Sequence, residues 1–397
     1  MVTFRRSELA GEVIAPHRLP PLILALAGAL GCGGGFWASD SSRGSPADGS
    51  GSDDGRGPDD GAGVGGGEDG DDGGATSRIC PPVPACDAPL PDLGPPRDFR
   101  HTLSEVVVGT GFPNHRGRDL LLREGEAQAI IGKIAYGVVD KDLKDEEVDV
   151  WLLRGCGGAW EQLGTALTTR DDDHAAVEGV PDTGGRIYFD VPAGRALGPG
   201  RHRVHLSVAG DRTGADLFIQ VVPEGIEVFV SDVDGTLTVG ENEEFIALLE
   251  GELPAVNDGA AEALTALAGR GYLPLYLTAR PEFLVGRTRE LLAVNGFPPG
   301  LVHTTTDGIG AIGGDAAAFK SADLGQALTE RGHVAAYSFG NTATDAQAYD
   351  AADVQPVGNR FFFAFDDEGQ AGRRFDSYRD LVDELGGAPA PCQPSGL

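Results

Sequence analysis

The spacing of hydrophobic positions along the chain changes near residue 224, and this change predicts two folded regions. Before it, the apolar segments are short, β-branched or alternating, and Gly, Pro and Asp separate them. Alternation with a period of two is typical of half-buried strands. We therefore predict an all-β immunoglobulin-like sandwich domain over residues 98–224. Its expected strands include Ala127–Val138, Val148–Leu153, Arg186–Val191, His202–Ala209 and Ala215–Val222.

From residue 225 onward the pattern alternates between short apolar runs and longer segments with helical spacing. Such alternation predicts a parallel, doubly wound α/β sheet over residues 225–387, Rossmann-like and without a cap domain. Residues 388–397 are expected to form a loose tail. The predicted strands are 226–231, 273–278, 301–306, 334–339, Val354–Val357 and a last one in R-F-F-F-A-F from Arg360. The predicted helices are Asp258–Gly269, Pro281–Asn295, Ala322–Arg331, Ala343–Ala351 and Asp376–Leu385.

Polar side chains follow the carboxyl ends of several of these strands, where open α/β sheets bind ligands. Asp232 and Asp234 come directly after the first strand, and Gly235 allows a sharp turn there. Two carboxylates this close need a cation between them, and oxygen ligands suit Mg²⁺. The later strand ends and the next helix bring further polar residues to the same edge: Thr278, Ala279, Arg280, Lys320, Gly340, Asn341 and Asp345. Carboxylates, a hydroxyl and a lysine that converge are what phosphoryl transfer requires.

The gaps between these groups limit the shape of the site. The stretches from Asp234 to Thr278 and from Thr278 to Lys320 each hold little more than one helix and its connections. An inserted cap domain does not fit into either stretch. An open site of this kind suits a head group presented at a membrane surface or on a macromolecule better than a small metabolite.

The net charge of the chain argues against some classes of binding partner. The chain of 397 residues has 61 acidic and 31 basic side chains and a formal net charge of -30. This balance argues against a nucleic-acid partner and against docking onto anionic membranes by charge alone.

The amino terminus has the pattern of an export signal. Arg5, Arg6 and Arg18 precede the apolar run Leu19–Leu30, which is too short to span a bilayer as a stable helix. The A-L-G-C string ending at Cys32 resembles a bacterial lipobox and implies acylation of that cysteine. We expect a signal peptide over 1–32 and a mature chain without a transmembrane helix, held in the cell envelope as a membrane-anchored lipoprotein. The alternative is a secreted or periplasmic soluble protein.

Residues 33–97 are predicted to be a disordered acidic linker rich in Gly and Asp, because most of the stretch lacks apolar periodicity. Cysteines Cys80, Cys86, Cys156 and Cys392 remain after Cys32, and in an exported chain they predict two disulfides. Three pairings are possible, and the bond from Cys80 to Cys86 closes the shortest loop. Sequence alone does not choose between them.

Four ordered motifs carry a family resemblance. D-V-D-G-T at 232–236, Thr278, Lys320 and G-N-T-A-T-D at 340–345 resemble the motifs of haloacid-dehalogenase-type phosphatases. The longer strings D-V-D-G-T-L-T, Y-L-T-A-R-P and F-G-N-x-x-x-D-x-x-A-Y are similar to the catalytic domain of lipins. They are also similar to the C-terminal domain of membrane-associated phosphatidylinositol transfer proteins. The resemblance covers about residues 225–385.

The resemblance implies roles for the matching residues. Asp232 would be the nucleophile, Asp234 the acid and base, Thr278 the holder of the phosphoryl oxygens, and Lys320 the group that stabilises charge. Mg²⁺ would be bound by Asp232, Asp234, Asp345 and Asn341. The substrate phosphate would contact residues from three parts of the chain: Gly235, Thr236, Thr278, Ala279, Arg280 and Lys320.

The implied activity is magnesium-dependent hydrolysis of phosphatidate to diacylglycerol and phosphate, on a phospholipid substrate at a membrane surface. Two alternatives stay open. The chain could bind phosphatidate without cleaving it, as a lipid-sensing module, or it could be an exported phosphatase for soluble or protein-bound phosphates. The role of the sandwich and the oligomeric state also stay open.

Overall fold

A computed structural model describes residues 79–81, 83–240, 252–366 and 372–393 of the chain. The predicted signal peptide and residues 33–78 of the predicted linker lie outside the described residues. Residues Thr76–Leu397 form one compact unit that holds both predicted domains. No helix among the described residues combines the length and the apolar character needed to cross a membrane.

The first domain is a sandwich of two β-sheets. Three strands form one sheet in the order β1, β3, β8: β1 Arg116–Gly117, β3 Ala129–Lys133 and β8 Arg186–Asp190. Five strands form the other in the order β2, β10, β9, β6, β7: β2 Leu120–Arg123, β10 Gly214–Val222, β9 Gly200–Val208, β6 Glu147–Leu153 and β7 Glu161–Leu167. A hairpin of β4 Ala135–Tyr136 and β5 Lys141–Asp142 extends from the sandwich.

The inward-facing aliphatic side chains of the two sheets form the core of the sandwich. The predicted sandwich is thus confirmed, while its assignment to the immunoglobulin-like type stays a prediction. One helix, α1 Thr102–Val108, was not predicted, because the three consecutive valines at its end have a high propensity for strands. Val107 and Val108 pack against the sandwich core, and this burial outweighs the local preference.

The second domain is built on a six-stranded sheet in which every described pair of neighbouring strands is parallel. In sheet order the strands are β13 Leu301–Thr305, β12 Leu273–Pro281, β11 Glu227–Ser231, β14 Val334–Gly340, β15 Arg360–Phe363 and β16 Arg373–Phe375. The helices between and after them are α2 Ala260–Gly269, α3 Val285–Val294, α4 Gly314–Ala327, α5 Ala343–Ala351 and α6 Val382–Gly386.

Separate apolar cores lie on the two faces of this sheet. Leu264, Leu267 and Leu291 belong to one core, whereas Leu324 and Ala346 belong to the other. Helices therefore cover both faces, in agreement with the predicted doubly wound fold. The order of the strands also places β11 at the centre, between β12 and β14, where the strand order reverses.

Several predicted boundaries in this domain are wrong. Val354–Val357 is not a strand, because Pro356 has no N–H to donate to a sheet, and Arg360–Phe363 pairs with β14 instead. The helix predicted from Ala322 begins at Gly314, so Lys320 lies inside a helix rather than at its start. The predicted helix Asp376–Leu385 consists of a 3₁₀ turn and the short α6.

The described part of the predicted linker is fixed to both domains. Cys80 is bonded to Cys392 and Cys86 to Cys156, so the short Cys80–Cys86 pairing is wrong. Carbonyl oxygens of this segment also accept side-chain hydrogen bonds, as Pro89 does from Trp160 at 2.8 Å. The segment 83–97 and the tail up to residue 393 therefore belong to the folded unit, and a linker and a loose end do not describe them.

Ion pairs join the sandwich to the second domain. Asp119 on the sandwich accepts from Arg289 at 2.7 Å and from the backbone N–H of Val302 at 2.9 Å. Arg118 pairs with Asp323 on α4. Glu282, directly after β12, pairs with Arg186 at 2.8 Å and Arg116 at 3.0 Å. The sandwich thus contacts the second domain beside the carboxyl end of β12.

Candidate active site

The loop after β11 presents two aspartates at the carboxyl edge of the sheet. The backbone N–H of Asp232 donates to Phe339 O at 2.9 Å, which ties the start of the loop to β14. Gly235 has a φ of +71°, a conformation that side chains disfavour. The turn leaves Asp232 buried at 4% exposure, while the side chain of Asp234 is 24% exposed. The two carboxylates thus differ in access to solvent.

Lys320 lies between two buried carboxylates. Its Nζ donates to Asp232 Oδ1 at 2.6 Å and to Asp345 Oδ1 at 2.5 Å. The lysine is 4% exposed, and the start of α4 at Gly314 places it in the second turn of that helix. The three side chains come from three separate elements, as expected for a site at one edge of the sheet.

The start of α5 fixes Asp345. Its Oδ2 accepts from the backbone N–H groups of Asn341 at 3.0 Å and Thr342 at 3.1 Å, and from the Thr342 hydroxyl at 2.8 Å. Thr342 and Asp345 form a capping box at the helix N-terminus. Gly340 is required beside them, because a Cβ there would lie 2.5 Å from that of Asp345. One oxygen of Asp345 is therefore fixed by the helix start, and the other faces Lys320.

Asp234 is held by a different set of groups. Thr278 Oγ1 donates to Asp234 Oδ2 at 2.9 Å, and Arg280 donates to both carboxylate oxygens at distances of 2.7 to 3.0 Å. Thr288 on α3 accepts from Arg280 Nη1 at 3.0 Å and fixes the guanidinium. The pairing of β12 with β13 is irregular between Thr278 and Pro281, which is where this arginine leaves the strand.

Thr236 connects the loop after β11 to the start of α5. Its hydroxyl is within hydrogen-bond distance of Asp232 Oδ2 at 3.1 Å and of the side-chain oxygen of Asn341 at 3.0 Å. The backbone N–H of Gly235 donates to Gly240 O and Thr238 Oγ1, both at 3.1 Å, and Ala279 O accepts from Ala311 N at 3.0 Å. The backbone N–H of Gly235 and the carbonyl oxygen of Ala279 are therefore already hydrogen-bonded to other loop residues of the protein.

The charges of the site do not balance. Burial raises the pKa of Asp232 above its ordinary value, and the negative charges of Asp345 and Asp234 raise it further, whereas Lys320 lowers it. Burial lowers the pKa of Lys320, but the two carboxylates outweigh this effect and keep its amine protonated. One lysine therefore faces more negative charge than it neutralises, and a further cation would be favourable here.

The donor atoms around Asp232 fit a magnesium ion by their chemistry. Carboxylate and amide oxygens are available from Asp232, Asp345 and Asn341, and these hard ligands are the ones Mg²⁺ prefers. Among the described residues, no three His, Cys, Asp or Glu side chains already converge as a metal-ligating group. The reason is visible in the contacts: Lys320 bridges Asp232 and Asp345, and the carboxylate of Asp234 is turned towards Arg280.

The structure brings the predicted side chains that carry polar groups together at this edge, in two adjoining groups. One contains Asp232, Thr236, Lys320, Asn341 and Asp345, and the other contains Asp234, Thr278 and Arg280. Two positioning residues were missed: Thr288, which contacts Arg280, and Thr342, which contacts Asp345. Thr342 could have been found from the T-x-x-D spacing of a capping box, whereas nothing local marks Thr288.

Family models match both domains. Residues 113–221 match the beta-sandwich domain of PITM 1-3, and residues 229–362 match the LNS2 domain of PITM 1-3, which is HAD-like. The two matches follow one another in the chain as the two domains do. They cover the sandwich and most of the parallel sheet.

Curated relatives show the same likeness. Membrane-associated phosphatidylinositol transfer protein 1 of Rattus norvegicus is 31% identical over 210 residues, 52% of this chain and 15% of the relative. Membrane-associated phosphatidylinositol transfer protein 3 of Homo sapiens is 29% identical over 217 residues, 54% of this chain and 20% of the relative. Protein retinal degeneration B of Drosophila melanogaster is 29% identical over 231 residues, 58% of this chain and 16% of the relative. The chain thus matches no more than a fifth of the length of these proteins.

Two solved structures are more distant. A HAD-like phosphatase from Mesorhizobium loti has a TM-score of 0.32 and 14% identity, and the match covers 45% of this chain and 92% of that one. A phosphoserine phosphatase from T. onnurineus has a TM-score of 0.26 and 16% identity, with 41% and 96% covered. Both scores are low, and nothing about function follows from them. The family models and relatives show that the two folded domains are homologous to the beta-sandwich and LNS2 domains of PITM proteins.

Proposed function

We propose that the chain is a magnesium-dependent phosphomonoester hydrolase that forms an aspartyl-phosphate on Asp232 and acts on phosphatidate. The observation that carries this proposal is the buried cluster of Asp232, Asp345 and Lys320, with Nζ within 2.6 Å of both carboxylates. It supplies a nucleophile, a fixed positive charge and an excess of negative charge that a metal ion would relieve.

The first step transfers the phosphoryl group to the protein. A carboxylate oxygen of Asp232 forms a bond to phosphorus while the bond from phosphorus to the ester oxygen breaks. Asp234, in its protonated form, gives its proton to the departing alkoxide, which leaves as the alcohol. Asp234 suits this role because its side chain is the more exposed of the two acids in the D-x-D loop.

The second step releases phosphate. Asp234, now a carboxylate, takes a proton from a water molecule whose oxygen attacks phosphorus, and the bond from phosphorus to Asp232 breaks. Lys320 stays within hydrogen-bond distance of Asp232 and stabilises the carboxylate that is regenerated. Thr278 and Arg280 keep Asp234 at the edge of the sheet between the two steps.

Asp232, Asp345, the carbonyl oxygen of Asp234 and Asn341 would hold the magnesium ion. When bound, it would neutralise charge on the phosphate and on the nucleophile, so that two anions can approach one another. The amide of Asn341 suits this position because its oxygen already points to the Thr236 hydroxyl beside Asp232.

A phospholipid substrate is supported by the relatives and by the openness of the site. The relatives are named membrane-associated phosphatidylinositol transfer proteins, and the match includes the region of the candidate site. The described connections from Asp234 to Lys320 consist of α2, α3, two strands and short loops, with no cap domain among the described residues. A phosphate on a lipid head group could reach such an edge from a membrane surface.

A second candidate is a module that binds phosphatidate without cleaving it. The paired state of Asp234 favours it, because Arg280 contacts both carboxylate oxygens and Thr278 contacts one of them. A carboxylate fixed by a buried guanidinium gives up these bonds when it takes on a proton. In this case the carboxyl edge of the sheet binds the phosphate of phosphatidate, and Asp234 does not donate a proton.

Export to the cell envelope, with acylation of Cys32, completes the proposal. The two disulfides support it, because such bonds persist in oxidising compartments. A lipid on Cys32 would keep the site close to a bilayer surface. Without acylation, the chain would be a secreted or periplasmic soluble protein.

Phosphate release separates these readings. We would compare vesicles of phosphatidylcholine containing phosphatidate with water-soluble phosphomonoesters, with and without Mg²⁺, and use Asp232→Asn as the control. Release from the vesicles that needs both Mg²⁺ and Asp232 is expected. Binding to the vesicles without release would favour the non-catalytic module, and release from soluble esters alone would favour a phosphatase for other substrates.

A further inference from the structure

Among the described residues, the two most exposed large apolar side chains lie on turns near the candidate site. Val139 and Ile309 are each 81% exposed, which is the highest value among the described large apolar residues. Ile312 at 75% and Val138 at 65% lie beside them in the sequence. We call these four residues, Val138, Val139, Ile309 and Ile312, the apolar rim. Exposed apolar side chains that are grouped together mark surfaces that contact a membrane or another protein.

Ile309 and Ile312 stand on the loop that follows β13, at the carboxyl edge of the sheet. Between them, the backbone N–H of Ala311 donates to Ala279 O at 3.0 Å. This bond anchors the loop directly beside Arg280, which holds Asp234. The two isoleucines therefore flank an attachment point at the candidate active site.

Val138 and Val139 stand on the turn between β4 and β5 of the sandwich. The next residue, Asp140, accepts from Arg116 at 2.5 and 2.6 Å, and the same guanidinium donates to Glu282 at 3.0 Å. Arg116 and Glu282 also line a small interdomain cavity together with Thr306, where the isoleucine loop begins. The two pairs of apolar tips, one from each domain, are therefore both linked by contacts to the end of β12.

We propose that the apolar rim inserts into the surface of a phospholipid bilayer and so places the candidate site against the head groups. The choice of a lipid partner rests on the proposed function. The site would then meet its substrate without removing it from the membrane. The sandwich, through Val138 and Val139, would provide the second of two contacts with the bilayer.

The shape of the region favours a bilayer over a protein partner, and the net charge of the chain favours apolar insertion over a charge contact. The four side chains project from two separate turns, and the isoleucines are surrounded by glycines in D-G-I-G-A-I-G-G. Separate tips suit a flat, fluid surface, whereas a peptide ligand needs a continuous groove or a sheet edge. The net charge of -30 opposes attraction to anionic lipids, so apolar insertion is the contact that remains.

Vesicle flotation tests this proposal. The full chain would carry Cys32→Ser, so that acylation cannot anchor it, and would be mixed with vesicles of phosphatidylcholine alone. Ile309→Asp/Ile312→Asp and Val138→Asp/Val139→Asp would each lower the vesicle-bound fraction, with a partition coefficient reduced about tenfold or more. Raising the salt concentration should have little effect, because insertion is not a charge interaction.

Val294→Asp is the matched control. Val294 is 70% exposed, but it ends α3, which runs back from the end of β12 towards the start of β13 at the opposite edge of the sheet. This variant should bind vesicles like the parent chain. Binding that is equal in the rim variants and the parent would overturn the proposal. A dimer of the parent chain that the rim variants dissociate in light scattering would overturn it too, because the rim would then cover a second copy.

Vesicle binding and phosphate release are measured separately, so a failure of the docking proposal can be distinguished from a failure of the proposed hydrolase. Phosphatidylcholine alone offers no phosphomonoester, so flotation reports insertion whether or not the site is active. If the parent chain floats through its rim but releases no phosphate from phosphatidate, docking stands and the hydrolase does not. Both rim variants could instead bind vesicles and release phosphate from phosphatidate as the parent chain does. That result would support the proposed hydrolase and overturn the proposed docking.

Discussion

Two buried ion clusters of this protein each combine carboxylates with basic side chains, and they differ in their balance of charge. Between the domains, the carboxylate of Glu282 lies between the guanidiniums of Arg186 and Arg116. Under the end of β11, one lysine lies between the carboxylates of Asp232 and Asp345. Burial alone would raise the pKa of either carboxyl group.

The two pKa values move in opposite directions. Burial raises the pKa of Glu282, but the charges of Arg116 and Arg186 outweigh it and hold the pKa below its ordinary value. For Asp232, burial and the neighbouring acids outweigh Lys320, and the pKa is raised. The count of charges, rather than burial, therefore distinguishes a cluster that joins domains from one prepared for a cation and a phosphate. The predictions below test this distinction, in order of expected effect.

Lys320→Ala should produce the largest loss of stability. It leaves Asp232 and Asp345 buried without their shared cation, and breaking a buried pair in this way costs about 3–5 kcal/mol of unfolding free energy. Urea denaturation in EDTA measures this loss. Added Mg²⁺ should restore part of the lost stability, because it stabilises only the folded state. A loss below about 1 kcal/mol in EDTA would contradict the account of this cluster.

Arg186→Met should cost less, about 2–3 kcal/mol, because Arg116, which also pairs with Asp140, still contacts Glu282. The denaturation midpoint at a fixed slope is the measurement. Added Mg²⁺ should restore less of this loss, since the guanidinium of Arg116 stays against both carboxylates. Recovery with Mg²⁺ that equals the recovery of Lys320→Ala would remove the distinction between the two clusters.

His115 adds a buried group for which the charges of Asp211 and Asp140 do not offset the effect of burial. Burial lowers its pKa from 6.5 to about 4. As pH falls through this window the unfolded chain takes up the proton first, so stability is complete above pH 6.5 and is lost towards pH 4. The loss should reach about 2 kcal/mol at pH 5.

His115→Gln should reduce the difference between urea midpoints at pH 8 and pH 5 by a matching amount. Part of the difference should remain, because burial lowers the pKa of His333 to about 4 as well. An unchanged difference would mean that His115 does not stay neutral in the folded protein.

Asp232→Asn should have the smallest effect on stability, within about 1 kcal/mol, and the largest effect on activity. The amide keeps the shape of the carboxylate and removes the excess charge, while Lys320 keeps its contact with Asp345. The urea midpoint and the rate of phosphate release would be measured on the same preparation. A loss of stability comparable to that of Lys320→Ala would indicate a structural role for Asp232.

The fold of the second domain could be predicted because its periodicity is local. Each strand of the parallel sheet is a short apolar run, and parallel strands bring their carboxyl ends to one edge, so Asp232, Lys320 and Asp345 could be placed together in advance. The boundary errors arose where local signals conflict, as at Pro356 and at the start of α4. These boundary errors did not change which residues lie at the carboxyl edge of the sheet.

Contacts between distant parts of the chain could not be predicted. Cys80 pairs with Cys392 across 312 residues, and no spacing rule favours this bond over the short loop to Cys86. The pair of Arg186 and Glu282 depends on how two domains meet. The pair of Arg280 and Asp234 depends on an irregularity between β12 and β13. Periodicity carries no information about either contact.

The nature of the phosphorylated residue tests the central claim most directly. During turnover of phosphatidate with Mg²⁺, the reaction would be stopped with acid, in which an acyl phosphate survives, and the protein would be digested and mapped by mass spectrometry. We expect a phosphoryl group on Asp232 that hydroxylamine removes and that is absent from Asp232→Asn. Phosphate release that continues with no label on Asp232, or with the label on another residue, would contradict it.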